Sequence, residues 1–439
     1  MQALGARAPR STNHNARRAS GMSSAASPTA ESHAGWIHST RLHVFLYSFL
    51  LVATPFIMLR EYMQEVVGQI TAVHVALFGH DLVVVPWAAL IVFVVLIVAV
   101  RRHLTPLRIV AGLIALGLIA LAQQITDYYF HHNFYDIQQN WHYFAYGGFA
   151  FMLYRDLVPR GISPQRIILL TFGFALLFST FDEAFQYWIN TRTYDTSDIA
   201  KDAWGVVAGM SLLYLGENPT GALLRNVHPV RHRRLRDYFA HPFSTLLVCF
   251  LFVLSFLCIS SVLSQPEYTL LTYVLTVAAF ILLFLILHVS QFRAGQVLLL
   301  ALLALLILVQ GYFYVRHRED GIVHCEDGLV VYRGIPIPLF DVMIRADGSL
   351  RIVDRKKYFY ARDRQFFIQQ EPDILLMGSG MTGSGGRGFP HREVHQFNWN
   401  YETDRGMQVI ILPNRPACVI FNRLMAEGKN VLFVLHNTE

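Results

Sequence analysis

Polar and ionisable side chains are concentrated between residues 140 and 209, inside a stretch that is otherwise strongly apolar. His142 and Tyr146 are four residues apart, a spacing that places two side chains on one face of a helix. Asp182, Glu183 and Gln186 form a second group. Ionisable groups are costly at membrane depth, so these positions are the first candidates for a functional site.

A third group begins with Arg192 and Asp195 and continues as a stripe on a helix. Spacings of four, three and four residues place these positions on one face: Asp198, Asp202, Gly205 and Gly209. The two glycines form a small-xxx-small surface on which a second helix can approach closely. We expect the three groups to meet at one border of the membrane.

Two non-catalytic interpretations of this polar set stay open. In a structural network, Arg192 and His142 pair with the carboxylates, so that no buried charge lacks a partner. In a binding site at the outer leaflet, the planar guanidinium of Arg192 holds a phosphate or carboxylate of an amphiphilic or lipid-linked ligand.

A catalytic interpretation is the third alternative. The acidic groups Asp182 and Glu183, together with Asp195, Asp198 or Asp202, would hold a divalent cation such as magnesium or calcium, with His142 as acid or base. Adjacent helical residues point about 100° apart, which hinders ligation of one ion by both Asp182 and Glu183. A function without catalysis is therefore favoured, and no cofactor other than such a cation is predicted.

The elements that position these residues are predicted to be membrane helices. Of the 439 residues, 54% are hydrophobic and 15% are charged, against roughly 25% charged in an ordinary soluble chain. The apolar residues form blocks close to the ~20 residues that a spanning helix needs. The sequence therefore predicts an all-α polytopic bundle of about nine spans, of which the fourth and sixth are the least hydrophobic. The predicted spans are 43–59, 82–100, 109–126, 142–158, 167–186, 202–216, 244–264, 269–288 and 294–315.

Loop charge predicts the orientation, because Lys and Arg accumulate on the cytoplasmic side. Basic residues precede the first predicted span and follow the second, fourth and sixth, whereas the intervening loops are poorer in them. An odd number of spans then places the amino terminus in the cytoplasm and the terminal domain outside a plasma (inner) membrane. The net charge of +6 is explained by these loops and does not indicate nucleic-acid binding.

The order and spacing of the polar residues resemble the signature of the VanZ-like family. The matching pattern is His142-xxx-Tyr146, Asp182-Glu183-xx-Gln186 and Arg192-xx-Asp195-xx-Asp198-xxx-Asp202-xx-Gly205-xxx-Gly209. The similarity covers about residues 45–216 and departs at Asp202, where the family usually has Asn. Because the founding member is associated with teicoplanin resistance, the resemblance implies a cell-envelope role with a glycopeptide or lipid-linked ligand.

After residue 315 the pattern changes to short β-rich runs separated by turns. Residues 409–412 and 431–435 are predicted as buried strands, with a helix over 417–427 that stops at Gly428, and this order favours parallel strands. A small soluble mixed α/β domain follows the membrane part. The predicted division is a disordered basic tail (1–40), a VanZ-like domain (41–216), a basic loop (217–243), three further spans (244–315) and the soluble domain (316–439).

The terminal domain resembles a second family. Residues 372–380 (PDILLMGSG), 406–409 (GMQV) and 421–424 (FNRL) are similar to a small β/α domain shared by a mitochondrial complex I assembly factor and archaeal proteins of unknown function. The similarity covers about 322–437 and implies a ligand- or partner-binding role, so an assembly or scaffold factor is another alternative for the chain. Residues 378–383 also fit a dinucleotide fingerprint, but the glycine-rich continuation favours a turn over the helix that would hold a pyrophosphate.

The four cysteines show no metal-type spacing. Cys249 and Cys258 fall in one predicted span. Cys325 and Cys418 fall in the terminal domain, where they can pair in an oxidising compartment or stay reduced.

Overall fold

A computed structural model describes residues 41–57, 69–70, 73–77, 80–126, 137–186, 194–216, 234–353, 367, 370, 372–383, 394–400 and 405–437. Within these residues, a helical part up to residue 317 is followed by a domain of strands and one long helix. The predicted combination of a helical membrane part and an α/β domain is confirmed at this level.

Nine long α-helices occur in the described residues up to 317, and each coincides with a predicted span. They are α1 (Arg41–Ile57), α2 (Val84–Val100), α3 (Pro106–Thr126), α4 (Ile137–Leu157), α5 (Pro164–Gln186), α6 (Thr196–Gly216), α7 (Pro242–Val262), α8 (Thr269–Val289) and α9 (Arg293–His317). Five of them, α3, α5, α7, α8 and α9, are long and apolar enough to cross a bilayer. This composition fits a polytopic membrane protein.

The second predicted span differs at its start. Residues 82 and 83 belong to a short antiparallel hairpin of β1 (His74–Leu77) and β2 (His80–Val83), and α2 begins directly after it. Apolar, β-branched residues suit a strand as well as a membrane helix, so hydropathy alone does not mark this boundary.

The low hydropathy of α4 and α6 is explained by their position. α6 packs against α3, α4, α5 and α7, and most of its side chains are buried, including those of Lys201 and Asp202. Its contact with α4 is close, since a Cβ atom at Gly205 would lie 2.9 Å from the His142 carbonyl oxygen, and one at Gly209 would lie 2.9 Å from the Gly147 Cα atom. Polar residues of both helices therefore face each other inside the bundle.

The terminal domain contains two sheets. β3 (Ile322–Glu326), β4 (Leu329–Tyr332) and β5 (Ile335–Pro338) form an antiparallel sheet in that order. The larger sheet has the order β7-β6-β11-β8-β10-β9. Its strands are β6 (Asp341–Ile344), β7 (Leu350–Val353), β8 (Ile374–Ser379), β9 (Val394–Asn400), β10 (Arg405–Leu412) and β11 (Val431–His436).

The helix α10 (Asn414–Ala426) connects β10 to β11, as the sequence predicted, and it begins one turn earlier than expected. The two strands run parallel, but β8 lies between them and is parallel to both. Gly428, with φ of +69°, follows the last helical turn. On one face of the large sheet, α10 and the small sheet form a hydrophobic core that includes Phe421 and Phe433. A second core on the other face includes Phe367.

Candidate functional site

The first turns of α4, the last turn of α5 and the first turns of α6 meet at one border of the helical bundle. His142 Nδ1 lies 2.8 Å from Asp202 Oδ1, and the Ser179 hydroxyl donates a hydrogen bond to Asp202 Oδ2 at 2.6 Å. The Asp202 carboxylate thus has a partner at each oxygen. Only 3% of its side chain is exposed, so these two contacts replace water.

Asp198 lies next to this pair and nearer the surface. Lys201 Nζ donates a hydrogen bond to Asp198 Oδ1 at 2.8 Å, and His142 Nε2 lies 3.7 Å from the same oxygen. The exposed fractions of the side chains are 25% for Asp198 and 19% for His142, against 8% for Lys201. The accessible end of the cluster is therefore the Asp198 and His142 pair.

Lys201 is a candidate for a functional residue that the sequence analysis did not include. The signal that identifies it is its position three residues after Asp198, which places both side chains on one helical face.

Glu183 and Asp195 form a second set of contacts. Gln186 Nε2 donates a hydrogen bond to Glu183 Oε1 at 2.8 Å, and the Asp195 backbone N–H donates one to Glu183 Oε2 at 2.9 Å. Asp195 Oδ1 in turn accepts a hydrogen bond from the Ser197 backbone N–H at 2.7 Å. That contact is typical of an N-cap, so Asp195 stabilises the start of α6.

Tyr146 and Asp182 complete the predicted set within the described residues. Tyr146 is buried, and its hydroxyl oxygen has no hydrogen-bond partner in the part of the chain that the structure describes. Asp182 is close enough to interact electrostatically with Tyr146 and with Glu183. Arg192 lies outside the described residues.

Carboxyl groups outnumber basic side chains among the described residues of this cluster. Its five carboxyl groups belong to Asp182, Glu183, Asp195, Asp198 and Asp202, and its permanent cation is Lys201. His142 adds a second positive charge when it is protonated. The carboxyl groups are divided among separate partners, and among the described residues no group of three or more His, Cys, Asp or Glu side chains is arranged to hold a metal ion.

The predicted glycine-rich turn of the terminal domain lies at the carboxyl end of β8. Gly380 and Gly383 have positive φ values, and the Gly380 N–H donates a hydrogen bond to Asn414 Oδ1 at 3.0 Å. Asn414 Nδ2 donates another to the His436 carbonyl oxygen at 2.7 Å. The turn is thus tied to α10 and β11, and the next described segment is the strand β9 rather than a helix.

A buried His and Asp pair at the same end of the sheet was not predicted. His436 Nδ1 lies 2.8 Å from Asp341 Oδ2, and both side chains are almost fully buried. The Asn437 backbone N–H donates a hydrogen bond to Asp341 Oδ1 at 3.0 Å. These contacts join the ends of β6 and β11.

All four cysteines are free thiols. Cys325 and Cys418 are neighbours, and a hydrogen bond from the Cys418 thiol lowers the pKa of Cys325. The structure therefore corresponds to the reduced alternative of the two that the sequence left open.

Comparison with known proteins gives little further information. No family model matches the chain, and no curated protein matches it. A solved structure titled "MT938" is similar at 21% sequence identity and a TM-score of 0.21, with coverage of 27% of this chain and 98% of that chain. A likeness at this TM-score supports no argument about function.

Proposed function

We propose that the helical part is a membrane-embedded binding site for an amphiphilic ligand, located where α4, α5 and α6 meet. The observation that carries this proposal is the partly exposed contact between Asp198 and His142, at the border of a polar cluster whose other members Asp202 and Lys201 are buried. A purely structural network is expected to lie inside the bundle, where each buried charge has a partner. The Asp198 carboxylate instead reaches the border of the bundle, where a positively charged group of a ligand can approach it.

The chemistry of the described residues favours a ligand with a cationic group, such as an amine attached to an apolar body. The amine would contact Asp198, and the apolar body would lie against exposed apolar side chains of the bundle such as Phe144 and Phe181. A lipid-linked phosphate, the other ligand considered from the sequence, would require Arg192 or a bound cation to offset the carboxylates.

The wider setting is part of the same proposal. All nine helices α1 to α9 span the plasma membrane, with the amino terminus in the cytoplasm and the terminal domain outside. The resemblance of the polar residues to the VanZ-like family supports a cell-envelope role comparable to glycopeptide resistance. The terminal domain binds a partner or a ligand of its own.

Spin-labelled stearylamine and spin-labelled stearyl phosphate test the proposal with the purified full chain in phosphatidylcholine nanodiscs. Electron paramagnetic resonance measures how much of each probe the protein immobilises. We expect the amine to associate more strongly than the phosphate. Asp198→Asn should weaken association of the amine about two- to fivefold, the effect of one partly exposed ion pair.

Asp156→Asn is the matched control. Asp156 is an acidic residue of α4, the helix that carries His142, but it lies at the opposite end of that helix in an ion pair with Arg160. This variant should leave association of the amine unchanged. Stronger immobilisation of the phosphate, or equal effects of the two substitutions, would contradict the proposal.

The partly exposed His142 beside Asp198 supports a second candidate, a metal-assisted hydrolase or transferase acting on a lipid-linked substrate with His142 as acid or base. Calorimetric titration of the wild type with Mg²⁺ and Ca²⁺ separates the two. Saturable cation binding that Asp182→Asn and Asp198→Asn abolish in folded protein would favour the enzyme over the cationic amphiphile.

A further inference from the structure

The junction between α9 and the terminal domain is short and has a second attachment point. α9 ends at His317 and β3 begins at Ile322. The turn between β4 and β5 returns to the helix, where Gln310 Nε2 donates a hydrogen bond to the Gly334 carbonyl oxygen at 2.8 Å. The domain is therefore fastened to α9 by this turn as well as by the chain itself.

Gly334 makes the contact unusually close. Its φ is +77°, and a Cβ atom there would lie 2.4 Å from the Phe313 carbonyl oxygen. Glycine meets both requirements, the left-handed backbone and the approach of main chain to main chain. The β4–β5 turn thus lies directly against the last turns of α9.

The length of α9 fixes the depth of this contact in the bilayer. Its 25 residues extend about 37 Å at 1.5 Å per residue, against about 30 Å of hydrocarbon. A centred helix therefore projects only a few ångström beyond the hydrocarbon at each end. Phe313 precedes His317 by roughly 6 Å along the axis, so Phe313 and the turn beside it lie at the boundary between hydrocarbon and headgroups.

Side chains suited to that boundary surround the turn. Ile335 is 36% exposed and Val323 is 44% exposed. They belong to the end of the small sheet that adjoins α9, because Ile335 pairs with Tyr332 and Tyr332 pairs with Ile322. The Arg333 guanidinium lies 5.2 Å from the Tyr332 ring centroid, which leaves an arginine at headgroup level.

Charge alone does not account for this surface. Arg316, Arg318 and Arg333 are accompanied by Glu319 and Asp320, and Asp320 Oδ2 lies 2.7 Å from His317 Nδ1. Burial of the apolar side chains supplies the attraction, and the phosphate of a phospholipid is the natural partner for the arginines.

We propose that the terminal domain rests on the bilayer through a membrane-contact patch, defined here as Val323, Arg333 and Ile335. Its occupant is the phospholipid of the leaflet in which α9 ends. This surface is separate from the ligand site of α4, α5 and α6 and does not depend on it.

Photo-crosslinking in the full chain tests the patch. A genetically encoded benzophenone amino acid replaces Ile335, and the protein is irradiated in nanodiscs of phosphatidylcholine and phosphatidylglycerol. Mass spectrometry should find several-fold more lipid adduct at position 335 than at position 397. Phe397 is a suitable control because its side chain is 66% exposed on β9, at one edge of the large sheet. The patch lies near the opposite edge, since Arg333 lies against Gly348 in the turn between β6 and β7.

Equal lipid adducts at the two positions would overturn the proposal, as would adducts to a protein, including a second copy of this chain, in place of lipid at position 335. Gln310→Leu provides a second arm, because it removes the hydrogen bond to Gly334 while keeping the helix apolar. It should lower the adduct yield at position 335 by a few-fold, the effect expected of one hydrogen bond. A yield unchanged in the folded variant would contradict the role given to this contact.

Discussion

Single residues of the cluster differ in what they stabilise. Asp195 has the geometry of a helix cap and Glu183 accepts two hydrogen bonds, so both are explained by the local structure. Asp202 is different, because it joins His142 of α4 to Ser179 of α5 from a buried position on α6. Its contacts connect all three helices.

Asn at position 202 should be tolerated, because both contacts of Asp202 can be kept without its charge. The amide oxygen can accept from His142 Nδ1, and the amide nitrogen can donate to the Ser179 hydroxyl. We expect Asp202→Asn to change the free energy of unfolding by less than about 1 kcal/mol. Asp202→Ala should cost about 3 kcal/mol, because it leaves buried polar groups without a partner.

Thermal unfolding of the purified variants in detergent measures the difference. A loss for Asp202→Asn as large as that for Asp202→Ala would show that the negative charge itself is needed in the fold.

Sequence spacing predicted which residues of the cluster come together, but not how they pair. Helical periodicity grouped His142 with Tyr146 and Asp198 with Asp202, and the structure brings His142 close to both aspartates. The role of Lys201 was not predicted. Lys201 lies between Asp198 and Asp202, and its flexible side chain can bend towards either face of the helix. Which residues of other helices contact the cluster, such as Ser179, depends on how each helix is rotated about its axis. Spacing within one helix does not specify this rotation.

At the scale of elements, the contact between α4 and α6 depends on glycine. Gly205 and Gly209 face the main chain of α4, so the two backbones approach more closely than any side chain would allow. This contact sets the distance between His142 and the carboxylates of α6.

Gly205→Ala should therefore destabilise the bundle. The new Cβ atom would lie 2.9 Å from two main-chain oxygens, those of His142 and Tyr143, and neither can move without its helix. Overpacking of this kind costs about 1–3 kcal/mol. Thermal unfolding should show a lower midpoint for this variant.

Gly117→Ala on α3 is the matched control, since a Cβ atom at Gly117 would meet nothing within 4 Å. Alanine also has the higher helix propensity, so this variant should be as stable as the wild type or slightly more stable. Equal stability of the Gly205 and Gly117 variants would contradict the close packing of α4 and α6.

Helix positions were predictable from hydropathy because apolar length is a direct requirement of the bilayer. Strands of the terminal domain were predictable where they are central and buried, as with β10 and β11. The strands β3, β5 and β9 were not predicted. All three lie at sheet edges, β3 and β5 are mostly exposed, and β5 contains two prolines. The position of β8 between β10 and β11 depends on contacts distant in sequence.

At the scale of the whole molecule, the number of spans decides on which side each domain lies. α4 and α6 carry the polar cluster and are less apolar than the five helices that meet the length and hydropathy of a span. α6 packs against four other helices, and the polar residues of α4 face α6, so these polar residues need not contact lipid. If both span the membrane, the segment after α4 lies on the same side as the segment after α2, and the terminal domain lies on the opposite side.

Single cysteines test this topology in a variant whose four native cysteines are replaced by alanine. The positions are Arg102, between α2 and α3, Gly161, between α4 and α5, and Val419, which is 70% exposed on α10. In intact cells, a membrane-impermeant maleimide should label Val419→Cys at once. Arg102→Cys and Gly161→Cys should react only after the membrane is permeabilised, because the basic loops of their segments favour the cytoplasm. Labelling of Gly161→Cys in intact cells together with protection of Arg102→Cys would show that α4 does not span, and the polar cluster would then lie at the membrane surface rather than within it.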